Sequence, residues 1–149
     1  MSSPNVFKEK IISPGKASGL ALVTKEHISL RGFVNLEQGT FTAGTYTGAL
    51  GELDGVSFAG AVLIFPSSNG STVWSITLDL TCRFGNSPAA MINSILDPFV
   101  TPGCILQGIP LVRVENLSIF DEVKIGDMVT VDVNRGEVVI SKEFLVSPY

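Results

Sequence analysis

Histidine occurs once in these 149 residues and cysteine twice. One imidazole, His27, and two thiols far apart in the chain, Cys82 and Cys104, cannot supply a four-ligand metal site or a disulfide framework. Any metal the chemistry needs must come from elsewhere. Charge is scarce as well: Asp, Glu, Lys and Arg make up 16% of the chain, against about 25% in an ordinary soluble domain. With a mean hydropathy of +0.39, part of the apolar surface is expected to meet a partner. Ten basic residues against fourteen acidic give a net charge of −4, and no cluster of Lys and Arg interrupts the sequence. That excludes the electrostatic footprint of a nucleic-acid binder. Long apolar runs are also missing, since the longest, residues 59–65, falls far short of the roughly 20 residues needed to cross a bilayer. Residues 1–5 hold no basic region followed by an apolar one, so no secretory signal is visible. A cytoplasmic protein is expected, with neither membrane nor nucleic acid among its partners.

What is present centres on one stretch. Val62, Leu63, Ile64 and Phe65 form an apolar run that Pro66 ends by withholding a ladder donor. A small polar turn follows, containing Gly70, Ser71 and Thr72, and then Trp74, Leu78 and Cys82 recur at i, i+4 and i+8. That spacing predicts an amphipathic helix of about three turns, with Asp79 and Arg83 paired on its polar side and Gly85 as a left-handed cap. A strand, a small polar turn and a helix bring backbone N–H groups together at the helix start, where an anion or an alkoxide can be held among them. Gly70 permits close backbone approach to a ligand. Read from the residues alone, Ser71 is better explained as a helix N-cap than as a catalytic group.

The remainder reads mostly as strand. Segments 6–12, 17–24 with a bulge at Gly19, and 28–34 broken by Gly32 come first, followed by a Gly- and Thr-rich loop over 35–55. Residues 56–65 are apolar on both faces, as in a strand covered above and below. Residues 89–93 give another strand, Asp97-Pro98 starts a short helix running toward Gln107, and 109–114 is again a strand. Residues 127–133 alternate cleanly, turn at Asn134-Arg135-Gly136 and return over 137–140 as a β-hairpin. The sum is one domain over 1–149 of the α/β class, mostly β, with one or two helices and a central strand–helix–strand unit. His27 reads as a solvated loop residue, the cysteines as small buried hydrophobes, and Trp74 as core or as a wall of a pocket.

Several segments, taken in order, resemble the small swivelling subunit of the aconitase X family. They are Gly15-Lys16-Ala17-Ser18-Gly19, Ile28-Ser29 followed by Gly32, the run from Gly60 to Pro66, Gly70-Ser71-Thr72 with Ser75, the run from Ser87 to Ile92, and Gly126-Asp127 leading into Val129 and Val131. The resemblance spans most of the chain and implies a swivelling β/β/α domain. It further implies that Ser71 is the base that removes a proton from carbon in the dehydration of a small hydroxy acid. Gly70, Thr72 and Ser75 would line the substrate, and Lys16 or Arg31 would neutralise its carboxylate. No cofactor is expected on this chain; the resemblance places an iron–sulfur cluster on a larger catalytic subunit. The family's reactions make cis-3-hydroxy-L-proline the expected substrate, with 5-phosphomevalonate, or a non-catalytic regulatory subunit of the same fold, as the alternatives. Two departures bear on this choice. Leu30 is followed by Arg31-Gly32-Phe33 where the family has Trp-Gly-Gly, and residues 40–54 lack the usual His-Pro pair. The phosphohistidine swivelling domain shares the outline but needs a His beside the turn, where this chain has Ser71-Thr72-Val73.

Overall fold

Short β-branched runs separated by Gly and Pro punctuation become strands of two to eight residues in the computed structural model, which describes residues 5–8, 10–28, 34–35, 37–41, 53, 55–68 and 73–141. In chain order they are β1 (Asn5–Lys8), β2 (Lys10–Ser13), β3 (Lys16–Val23), β4 (Val34–Asn35), β5 (Thr40–Phe41), β6 (Val62–Ile64), α1 (Val73–Arg83), β7 (Ala90–Asn93), α2 (Val100–Gln107), β8 (Leu111–Arg113), α3 (Ile119–Glu122), β9 (Met128–Asp132) and β10 (Glu137–Ser141). Eight strands form one sheet in the order β1-β10-β9-β3-β6-β7-β8-β2. Its centre is parallel, β3 on β6, β6 on β7 and β7 on β8, while β9, β10, β1 and β2 add antiparallel strands on the two sides. The outermost strands, β1 and β2, are one residue apart in the chain. The sheet must therefore curl until its two ends nearly meet.

That curl corrects the expectation of one strand over 6–12. The run splits because its halves pair with different partners, Val6 opposite Val139 and Ile11 opposite Val112.

Curling also creates two cores. Toward the helices, Leu63, Phe65, Met91 and Leu111 pack with Trp74 and Leu78 of α1 and with Val100 and Cys104 of α2. Inside the curl, Val62 and Ile64 meet Val129, Val131, Val138 and Ile140, closed off by Ile119 and Val123. β6 is thus buried on both faces, as its composition requires. Helices α1 and α2 run side by side in the same direction: Gln107 Nε2 donates to Asp79 Oδ1 at 3.0 Å, and a Cβ on Gly103 would stand 3.4 Å from Ser75 Cα. The predicted α1 is borne out, with the Arg83 Nε to Asp79 Oδ2 pair at 2.8 Å and Gly85 at φ 73° donating to the Cys82 carbonyl.

Other expectations change. Gly19 makes no bulge: it pairs with Val129 in unbroken register, and a Cβ there would lie 2.3 Å from the Gly60 carbonyl oxygen. Its glycine answers a neighbouring backbone rather than an irregular strand. The strand expected over 56–65 shortens to β6, because the chain turns at Gly60, φ 70°, whose N–H donates to the Ser87 carbonyl. Within the expected loop, β4 and β5 pair as a two-stranded ribbon, and Phe41 packs on Phe58 with ring centres 5.1 Å apart. Residues 36, 42–52 and 54 of that loop, and 29–33 of the strand expected over 28–34, lie outside the described residues. Ile28 itself makes a single parallel bridge to Ser68. α3 is an element the sequence reading missed. Among the described residues, no helix is long and apolar enough to cross a membrane.

Candidate functional site

Because β3, β6, β7 and β8 are parallel, their C-terminal ends share one edge of the sheet, the place where open α/β sheets bind ligands. The segments leaving that edge meet over residues 65–68. From β7, Asn93 Nδ2 donates to the Phe65 carbonyl at 3.1 Å, and the backbone N–H groups of Ser94 and Ile95 both donate to the Pro66 carbonyl. From β3, the Ile28 N–H donates to the Ser67 carbonyl at 3.1 Å. His27 Nδ1 lies 2.7 Å from Ser67 Oγ, which donates to the Ser68 carbonyl at 3.2 Å. His27 is exposed as expected, yet it is tied to the turn rather than free in solvent.

Asp97 completes this cluster. It is 4% exposed, and its Oδ2 accepts the Ser68 N–H at 2.5 Å. Its Oδ1 accepts the N–H groups of Phe99 at 2.7 Å and Val100 at 3.1 Å, which satisfies the entry to α2. Burial pushes the carboxyl up, but the bonds from the Ser68 N–H and hydroxyl, Phe99 and Val100 outweigh it and hold Asp97 below the usual carboxylate range. A carboxyl whose folded pKa is depressed stabilises the fold above its unfolded pKa, and that contribution is lost as pH falls through the folded value. Urea midpoints should therefore stay level near neutrality and fall below about pH 4. An Asp97→Asn variant should lose much of that acid dependence.

Beneath the cluster, the Phe65 and Trp74 rings stack at 5.6 Å with 12° between planes. Trp74 is 1% exposed and belongs to the core. Trp74 Nε1, Asn93 Oδ1 and Thr101 Oγ1 are buried polar atoms with no hydrogen-bond partner among the described residues. Such orphans are rare in folded proteins, and Trp74 and Asn93 both border Phe65 at this edge. By contrast, a cleft of about 370 Å³ at the opposite end, between Ala61 and Ile125, is lined by no ionisable side chain.

Of the residues singled out in the sequence, Gly70, Ser71, Thr72 and Arg31 lie outside the described residues. Ser75 is half-buried in the first turn of α1. Its Oγ sits 3.6 Å from the point a Gly103 Cβ would occupy, in the seam between the helices. Lys16 is exposed and 3.9 Å from Asp132 Oδ2. Because Ala21 is level with Val62 in parallel register, Lys16 precedes the start of β6 by five residues, roughly 17 Å of strand. Lys16 opens β3, away from the C-terminal ends of the parallel strands. Asp97 and the His27–Ser67 pair were missed. An Asp just ahead of a helix signals a cap, but its bond to Ser68 joins residues far apart in sequence.

The described residues do not fit an iron–sulfur cluster. No group of three or more His, Cys, Asp or Glu among them could hold a metal ion. The Cys104 thiol, pushed up to about 12 by burial first and by nearby Cys82 second, stays protonated against Met91 Sδ at 3.6 Å. Cys82 is half-buried rather than fully buried.

Residues 6–140 match the aconitase X swivel domain. The chain belongs to that family. The swivel domain is 38% identical over 132 residues to the phosphomevalonate dehydratase small subunit of Archaeoglobus fulgidus, covering 89% of this chain and 96% of that one. It is 44% identical over 129 residues to the phosphomevalonate dehydratase small subunit of Methanothrix thermoacetophila, covering 87% and 90% of the two chains. The crystal structure of holo aconitase X from Thermococcus kodakaraensis superposes with a TM-score of 0.78 at 31% identity, over 92% of this chain and 98% of that one. The swivelling, mostly β fold expected from the sequence is thus observed. These relatives carry the name phosphomevalonate dehydratase, and neither is named for hydroxyproline.

Proposed function

We propose that this swivel domain is the small subunit of a heteromeric hydro-lyase that dehydrates a phosphorylated hydroxy acid, 5-phosphomevalonate, with Ser71 as the base. The observation that carries this reading is its 38% and 44% identity to two phosphomevalonate dehydratase small subunits over nearly their whole lengths. The expected hydroxyproline substrate gives way to the alternative for the same reason.

In the reaction, a C–H bond beside the carboxylate breaks, its electron pair becomes the new double bond, and the proton passes to the base. The hydroxyl on the neighbouring carbon leaves with the C–O bonding pair and takes up a proton, so the net release is one water. A serine is a very weak base, so its alkoxide needs N–H dipoles at a helix start and a site closed to water. In this reading the large subunit would supply that closure, and an iron–sulfur cluster held there would supply the Lewis acidity that helps the hydroxyl leave. Ile95, Leu96 and Leu117 leave the C-terminal edge with half or more of their surface exposed, a rim suited to being covered by a larger apolar partner face.

The test is to purify this chain, combine it with the large subunit encoded in the same genome, and assay both candidate substrates. Water loss from 5-phosphomevalonate by the pair, by neither chain alone, and none from cis-3-hydroxy-L-proline is the expected result. Turnover of hydroxyproline instead would overturn the substrate assignment. A pair that associates but dehydrates neither would favour a regulatory subunit, the reading to which the altered segment at Arg31 and the missing His-Pro pair lend weight.

A further inference from the structure

We infer that Asp97 is a positioning residue for the turn that leaves β6, and that turnover depends on the register it imposes between that turn and α2. The catalytic part rests on the function proposed above; the positioning part rests on contacts among described residues.

Each residue from Phe65 to Ser68 is gripped in turn. Asn93 holds the Phe65 carbonyl, Ser94 and Ile95 hold that of Pro66, Ile28 and His27 hold Ser67, and Asp97 holds the N–H of Ser68. Ser68 is the last described residue before α1, so its anchor fixes where the chain departs for the segment that contains Ser71. Among these grips, Asp97 alone is a carboxylate. The same carboxylate binds Phe99 and Val100, so one rigid group ties the departing turn to the first turn of α2.

The chemistry of the anchor points the same way. Asp97 is almost fully buried, and its named hydrogen-bond partners are backbone N–H groups and the Ser68 hydroxyl, not a basic side chain. Burying a carboxylate without a basic partner is costly. A neutral Asn would cap α2 about as well. What Asn cannot do is accept at both oxygens, since one side of its amide is a donor and would face an N–H. Only the ionised acid serves Ser68 and α2 together, which makes the link between them the property that the charge secures.

Two measurements on Asp97→Asn test this. In the isolated chain, amide exchange followed by NMR should show the Ser68 N–H exchanging at least tenfold faster, while Leu63 and Met91 in β6 and β7 keep their protection. In the reconstituted pair, kcat should fall about tenfold to a hundredfold with KM within about twofold, since a displacement of about 1 Å at a reacting group costs of that order. Asp121→Asn, which neutralises an exposed carboxylate paired with Lys25, should show neither effect at comparable size. Asp97→Glu keeps the charge and guards against misfolding of the Asn variant; it should show the same split in weaker form. Unchanged Ser68 exchange, or accelerated exchange with full kcat, would overturn the inference. If the wild-type pair dehydrates nothing, the proposed function fails and the exchange measurement decides the positioning role by itself.

Discussion

Replacing Ser71 with Ala in the swivel domain and reconstituting it with the large subunit is expected to lower kcat by about a hundredfold to ten-thousandfold, the usual contribution of a positioned base. Substrate should still bind, because the lost group acts on a proton rather than on the ground-state complex. The competing role is a plain N-cap for α1, and the two roles separate cleanly. A cap replaced by Ala costs about 1 kcal/mol of stability, and replaced by Gly only a few tenths. If Ser71 only caps, Ser71→Ala should lower the melting temperature slightly and leave kcat intact, with Ser71→Gly close to wild type. If Ser71 is the base, both variants lose turnover alike, whatever they do to melting. Undiminished turnover in either would end the assignment of Ser71 as base.

A second large effect is expected at Gly19, far from any chemistry. A Cβ there would stand 2.3 Å from the Gly60 carbonyl oxygen, a backbone atom that cannot rotate away. β3 lies between β9 and β6 in the middle of the sheet, so relief requires moving a central strand or the turn that starts β6. Gly19→Ala should cost about 3 kcal/mol, at the upper end of overpacking penalties. For a chain of this size that is a fall of roughly 10 °C in melting temperature. Gly55→Ala is the control: nothing lies within 4 Å of its Cβ position, and only its φ of +79° opposes the substitution, at about 1–2 kcal/mol. Urea unfolding of both variants measures the difference. A Gly19→Ala protein within 1 kcal/mol of wild type would show that the close approach does not exist.

These two glycines also mark how far the sequence could be read. Gly85 and Gly136 were legible because their task is local: each ends a helical turn at positive φ, with its N–H bonded a few residues back. Gly19 was misread as a bulge because the atom that demands it belongs to Gly60, on another strand. The same division holds for the elements. The Trp74, Leu78, Cys82 spacing and the alternation over 127–133 are properties of consecutive residues, and both gave the right element. α3 was invisible because four residues offer too little periodicity to register. The splitting of β1 from β2 depends on which distant strand each half meets. At the candidate site, the turn after β6 was legible as punctuation, while the anchors that hold it come from His27 and Asp97, brought together only by the parallel strand order.

Residues 5–13 precede every other strand of this sheet in the chain, yet they are among the last to find a mate. Asn5 must wait for Ile140, and Lys10 for Arg113. A nascent chain that has reached residue 130 can already assemble its parallel centre, but β1 then has no strand to lie against. Pairings this remote slow folding and prolong the interval in which bare strands attract neighbouring molecules. The division of this segment between β1 and β2 therefore makes completion of the β9–β10 hairpin the step that shuts this interval.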